Sequence, residues 1–231
     1  MLDFLAGEIL LFDKPAGWTS FDVVNKVRGA IRVKKVGHAG TLDPLATGLL
    51  ILCTGKATKQ IESIQGQEKE YEVVFKLGAT TASYDAECPE ENLCDASHIR
   101  EEGVAAALPP FTGEISQIPP IYSAVKVNGK RAYEAARKGE TLELKARTVH
   151  IYTFELLPRP GHLPPEEPFF AARIRCSKGT YIRTLVHDLG QALGVGAYMT
   201  ALVRTRIGAY SLADAWQIPA FTQAFGKKAL P

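Results

Sequence analysis

Two hydrophobic periods alternate along this chain and mark out its elements. Glu8 to Phe12 is apolar and strand-like, and Lys14-Pro15-Ala16-Gly17 ends it with turn residues. Thr19 then offers an N-cap, with Asp22 as its capping-box partner. Phe21, Val24, Val27 and Ile31 recur at helical spacing and predict a helix carrying Lys26, Arg28 and Arg32 near its end. Residues 36–48, VGHAGTLDPLATG, hold three glycines, a proline and small or polar side chains, which predicts a loop.

Further on, Tyr71, Val73, Phe75 and Leu77 alternate with Glu72, Val74 and Lys76, the period of a strand. The acidic stretch from Asp85 to Glu102 opens as a loop and runs into a helix through Val104 and Leu108, stopped by Pro109-Pro110. Pro119-Pro120 marks extended chain, and residues 130–138 predict a short helix ended by Gly139. Val149 to Leu157 reads as a strand, followed by the surface loop PRPGHLPPEEP. Phe170, Ala172, Ile174 and Cys176 alternate with Ala171, Arg173 and Arg175, a strand with one basic face. Ile182, Leu185, Val186, Leu189 and Leu193 trace a helical stripe closed by Gly194, and Ala201 to Tyr210 predicts a last strand. Without regular βαβ alternation, the expected class is α/β (α+β), with a mixed, largely antiparallel sheet flanked by helices and loops.

Composition narrows this little. The chain has 231 residues, 46% hydrophobic and 23% charged, enough to bury roughly 70–75% of its unfolded surface without staples. The N-terminus lacks a basic segment, and the apolar run Leu49 to Cys53 is far short of the ~18 residues of a membrane span. Cys53, Cys88, Cys94 and Cys176 show no C-x-x-C spacing. Cys88, Cys94 and His98 do not match the common zinc spacings, so free thiols, no metal and a reducing cytoplasm are expected.

Charge distribution says more than the net +2. Residues 14–35 hold Lys14, Lys26, Arg28, Arg32, Lys34 and Lys35 against Asp22 alone. Residues 173–206 hold Arg173, Arg175, Lys178, Arg183, Arg204 and Arg206 against Asp188 alone, while residues 62–102 hold eleven acids and three bases. This segregation fits a basic face for a polyanion.

The loop from Gly37 to Gly48 carries the most pointed chemistry. Pro44 fixes its own φ and pushes Asp43 toward an extended conformation. A carboxylate on a short side chain is thereby presented stiffly, as a nucleophile or base should be. From the loop alone, a turn residue and a catalytic carboxylate are both open readings.

The segment GHAGTLDPLATGLL resembles the signature of TruB-type pseudouridine synthases, which modify the T-loop uridine of tRNA. DKPAGWTSFDVVNKVR (13–28), KEYEVVFKLGATTASYDAE (69–87), QIPPIYSAVKVNGKRAYEAARKGE (117–140), CSKGTYIRTLVHDLG (176–190) and ALVRTRIGAY (201–210) resemble further family blocks, in family order. The resemblance implies the pseudouridine synthase fold. It also implies an isomerisation that breaks N1–C1′, turns the uracil and rejoins it through C5, with no cofactor. Asp43 matches the catalytic aspartate, acting at C1′ or in a glycal route. Arg183 matches the arginine that pairs with it, and Tyr71 the active-site tyrosine. Tyr181 and Leu202 match residues lining the uracil pocket. His38 matches a residue that holds the flipped-out loop, and Lys14 lies in a motif near the site. The segment from Tyr122 to Arg147 corresponds to an RNA-gripping element.

Residues 1–218 are then expected to form the catalytic domain and 219–231 a tail, without the PUA-like domain many relatives carry. The expected partner is tRNA, with no membrane, no obligatory protein partner and a monomeric state. A guide-RNA-dependent synthase, a tRNA-folding chaperone and a carboxylate glycosidase are the rival classes. The last usually needs a second acid about 5–10 Å from the first, for which Asp188 is the nearest motif candidate.

Overall fold

A computed structural model describes residues 2–226 apart from 124, 128 and 137–141. The chain divides into two compact units, residues 1–71 with 202–231 and residues 72–201.

In the first unit, β1 (Ile9–Lys14) pairs antiparallel with β3 (Thr47–Thr54), placing Lys14 opposite Gly48. Parallel to β3 runs the end of the strand Ala197–Ile207, with Arg204 opposite Gly48. The helix α1 (Ser20–Ile31) begins as predicted, with Thr19 and Asp22 closing both bonds of the capping box. Its buried stripe is Val23, Val24 and Val27, packed on Leu10, Phe12, Leu50 and Leu52. Phe21 was expected on that stripe but is 57% exposed, because the helix turns its Val23/Val24 edge to the sheet.

The predicted loop 36–48 is shorter than expected. Val36–His38 forms the strand β2, paired antiparallel with β3, and β3 opens at Thr47. Residues 39–46 alone remain irregular. The backbone of β2 finds partners on β3 that local composition does not reveal.

In the second unit, the end of β4 (Lys69–Leu77) is followed across the sheet by the strands Phe169–Cys176, Arg147–Leu157 and Gly113–Gln117. The last was not anticipated from its composition. The helix Ile182–Ala192 buries the predicted stripe, including Leu185, Val186 and Leu189. Of the short helix predicted over 130–138, Lys130–Arg131 is instead a strand paired with Lys126–Val127, and Ala132–Ala136 is helical. Residues 137–138 and the expected stop at Gly139 lie outside the described residues. The strand predicted from Ala201 starts earlier, at Ala197. No helix among the described residues is long and apolar enough to cross a membrane.

Candidate active site

In the first unit the Asp43 loop is tied down on both sides by buried polar groups. Ahead of Asp43, the Leu42 N–H donates to Ser20 Oγ at 2.9 Å, and that hydroxyl lies 3.3 Å from the Leu42 carbonyl. Behind it, the Pro44 carbonyl accepts from the Gly17 N–H at 2.8 Å and from Lys14 Nζ at 3.3 Å. The Asp43 carbonyl accepts from Ala46 N–H at 3.1 Å, closing a tight turn. Every one of these bonds uses main chain at residues 42–46, so the Asp43 side chain is presented by a braced backbone.

Lys14 is not a solvated turn lysine. It is fully buried, and its ammonium also donates to the carbonyls of Trp18 (2.6 Å) and Pro15 (3.0 Å). A cation can be buried here because carbonyl dipoles replace its water. Lys14 therefore reaches the loop through the Pro44 main chain.

Arg204 supplies the second brace, and sequence reasoning missed it by counting it among the surface bases. Only 1% of it is exposed. Its Nε donates to the Leu49 carbonyl at 2.8 Å and Nη2 to the Gly40 carbonyl at 3.1 Å. Burial pushes its pKa down, and a hydrogen bond with the Tyr71 hydroxyl opposes that shift. Gly48, at φ +94°, packs so closely that an added Cβ would lie 2.5 Å from the Arg204 carbonyl oxygen.

Tyr71 lies on the buried face of β4, as strand period predicts. Its ring is core, as the packing reading has it, and its hydroxyl reaches Arg204. Leu202 is buried on the strand Ala197–Ile207, and its carbonyl accepts from Thr47 Oγ1 at 3.4 Å.

His38 ends β2, with Nδ1 buried and without a hydrogen-bond partner among the described residues. Burial lowers its pKa below 6.5; interaction with the Gly40 main chain opposes that shift, and the Arg204 charge adds to it. A depressed histidine keeps its neutral form in the fold while the unfolded chain takes up a proton. Its contribution to stability is therefore present above pH ~6.5 and is lost as pH falls toward the folded pKa. Titration of His38 by NMR is expected to give a midpoint below 6.5; a midpoint at or above it would contradict this environment.

The second unit holds Arg183 and Tyr181. Arg183 is 4% exposed at the first turn of its helix. Nη1 lies 3.1 Å from Asp85 Oδ2 and donates to the Ser83 carbonyl at 3.1 Å, and Nη2 donates to the Tyr122 carbonyl at 2.9 Å. Asp85 is fully buried, and its Oδ1 accepts from Ser83 Oγ (2.5 Å) and the Glu87 N–H (3.0 Å). Sequence reasoning quoted Asp85 within a motif without assigning it work. Its place at the head of the acidic stretch hid it, since nothing local separates it from the exposed acids that follow.

Tyr181 caps this helix. The buried amide of Gln117 holds its main chain at two points, accepting from Tyr181 N–H at 3.1 Å and donating to Tyr181 O at 3.2 Å. The Arg147 guanidinium lies 5.6 Å from the Tyr181 ring centroid. Asp188, half-buried, has its pKa raised by desolvation. Cys88 and Cys94 are free thiols, and the described residues contain no cluster of metal-ligating side chains.

Comparison with known proteins follows the same lines. A Cbf5-Nop10-Gar1 complex superposes with a TM-score of 0.71 at 29% identity, over 95% of this chain and 54% of that chain. The archaeal box H/ACA sRNP Nop10-Cbf5 complex gives 0.68 at 26% identity, covering 96% and 54%. This chain thus spans about half the length of those structural neighbours. The fold is that of the pseudouridine synthases.

Residues 28–182 match the N-terminal domain of the TruB family pseudouridylate synthases, and residues 183–229 match the tRNA pseudouridylate synthase B C-terminal domain. Proteins named tRNA pseudouridine synthase B are 51% identical in Phocaeicola vulgatus, over 96% of this chain and 94% of that protein, and 54% identical in Parabacteroides distasonis, over 91% and 90%. The chain belongs to the TruB family and is a pseudouridine synthase, an isomerase.

Proposed function

We propose that this protein converts the T-loop uridine of tRNA to pseudouridine, with Asp43 as the group that acts on the sugar. The observation that carries the reading is the loop braced on both sides of Asp43 by Ser20, Lys14 and Arg204. A carboxylate whose backbone cannot yield meets the reacting carbon without reorganising. The chemistry is internally balanced: N1–C1′ breaks, the uracil turns, C5–C1′ forms, and the C5 proton is lost as N1 regains one. No cofactor enters.

In this reading Arg183 keeps Asp43 ionised against desolvation, as a guanidinium fork does well. Tyr71 stacks against the flipped uracil or takes the C2′ proton in the glycal route. Tyr181 and Leu202 line the uracil pocket. His38, neutral, helps hold the displaced loop nucleotides, and Lys14 serves substrate binding by fixing the loop. Extruding the base costs a few kcal/mol, least in an already distorted loop. Residues 1–218 act as the catalytic domain. The protein works as a monomer without an obligatory protein partner, in the cytoplasm. The identity of about 50% to synthases named for tRNA supports the stand-alone reading over a guide-RNA-dependent one.

The test is pseudouridine mapping on unmodified tRNA incubated with this protein alone. Conversion confined to the T-loop uridine is the expected outcome. Bound but unconverted tRNA would instead favour a folding chaperone or an enzyme needing a partner.

A further inference from the structure

Arg183 is held by the two residues that flank Tyr84, through the Ser83 carbonyl and the Asp85 carboxylate. Tyr84 itself has φ +63°, a region that side chains other than glycine seldom occupy. Its N–H donates to Thr81 O, and the turn is pinned to Met199 through the Tyr84 carbonyl and the Ala86 N–H. Those bonds fix where the turn lies. The Tyr84 N–H shares one planar peptide with the Ser83 carbonyl, so its bond to Thr81 also sets the direction of that carbonyl within the turn. A turn drawn off the helix that carries Arg183 would take the Ser83 carbonyl and the Asp85 carboxylate away from the guanidinium.

A ring contact with Arg183's own helix holds the turn there. The Tyr84 ring stacks on His187, with centroids 3.8 Å apart and planes 14° from parallel. His187 is four residues beyond Arg183, one turn along the same face. The arrangement is a closed circuit: Arg183 to Ser83 and Asp85, through Tyr84 to His187, and back along the helix. The role proposed for Asp43 and Arg183 uses neither ring.

We propose that Tyr84 and His187 are positioning residues whose stack keeps the Ser83–Asp85 turn against the helix and thereby holds the Arg183 guanidinium in place. The proposal rests on the reading of Arg183 as a catalytic group. Glycine at position 84 takes φ +63° without strain, so Tyr84→Gly should keep the turn while removing the ring from His187. Phenylalanine keeps the ring.

The experiment compares wild type, Tyr84→Gly, Tyr84→Phe, His187→Ala and the Tyr84→Gly/His187→Ala double variant on a tRNA transcript. Tyr84→Gly and His187→Ala are expected to lose roughly 10- to 100-fold in kcat, with KM and tRNA affinity unchanged. Tyr84→Phe should retain wild-type kcat, and the double variant should fall no further than either single one. Wild-type kcat in Tyr84→Gly, or a raised KM at unchanged kcat, overturns the proposal.

Solvent exchange of the Arg183 Nη protons, assigned with Arg183→Lys, is measured on the same proteins. Faster exchange in Tyr84→Gly is expected, and an unchanged rate overturns the proposal whatever the activity. Wild type inactive on tRNA would sink the functional reading alone, because the exchange measurement still decides how Arg183 is held.

Discussion

Asp43→Asn is expected to stop pseudouridine formation, by about 10⁴-fold or more in turnover, while the protein stays folded and binds tRNA. The amide matches the carboxylate in size and leaves Pro44 and the loop glycines in place. The bonds that brace the loop, Leu42 to Ser20, Pro44 to Gly17 and Lys14, and Ala46 to the Asp43 carbonyl, belong to the main chain. What disappears is the negative charge. Both routes to pseudouridine depend on it, one as a nucleophile and the other to stabilise the sugar as the base departs. The measurement is nucleoside analysis of treated tRNA, run beside a binding assay and a thermal melt. Wild-type turnover in this variant would move the chemistry to another residue. If Arg183 works through Asp43, adding Arg183→Lys to Asp43→Asn should cost nothing further, as for groups that act as a unit.

The largest effect on stability is expected at Arg204. Replacing it with alanine should cost about 3–5 kcal/mol and lower Tm by roughly 6–20 °C. Its guanidinium donates to the Leu49 and Gly40 carbonyls and bonds the Tyr71 hydroxyl. Truncation leaves those acceptors dry and opens a void beneath the loop. Relief of the cation's own burial cost, visible in its lowered pKa, offsets part of the loss. Arg204→Lys should be milder in a thermal melt yet still impair turnover. A single ammonium cannot reproduce the planar fork, and the loop ahead of Asp43 loosens. A melt within about 2 °C of wild type for Arg204→Ala would show that the loop is held by other means.

Much of this protein is legible in its residues. Thr19 and Asp22 announce the start of α1, because a capping box is a contact between neighbours in the chain. The alternation from Tyr71 to Leu77 and the stripe from Ile182 to Leu189 declare a strand and a helix, because burial on one face imposes its period. Pro44 beside Asp43 marks a stiffly presented acid. The order of the motifs pointed to the family that the comparisons then established.

Other features have no local signature. Phe21 fits the helical stripe as well as Val23 does, and only the direction of the sheet decides which is buried. Val36–His38 reads as loop because its partners lie on Thr47–Thr54. The basic clusters mislead for the same reason. Lys14, Arg183 and Arg204 look like surface charge in a count, yet all three lie inside, bonded to carbonyls far away in sequence. Sequence determines which side chains can carry charge and which segments can turn, since those are properties of the residue and its neighbours. Whether a charge faces water or braces a loop depends on distant main-chain groups, and only the tertiary structure decides where these lie.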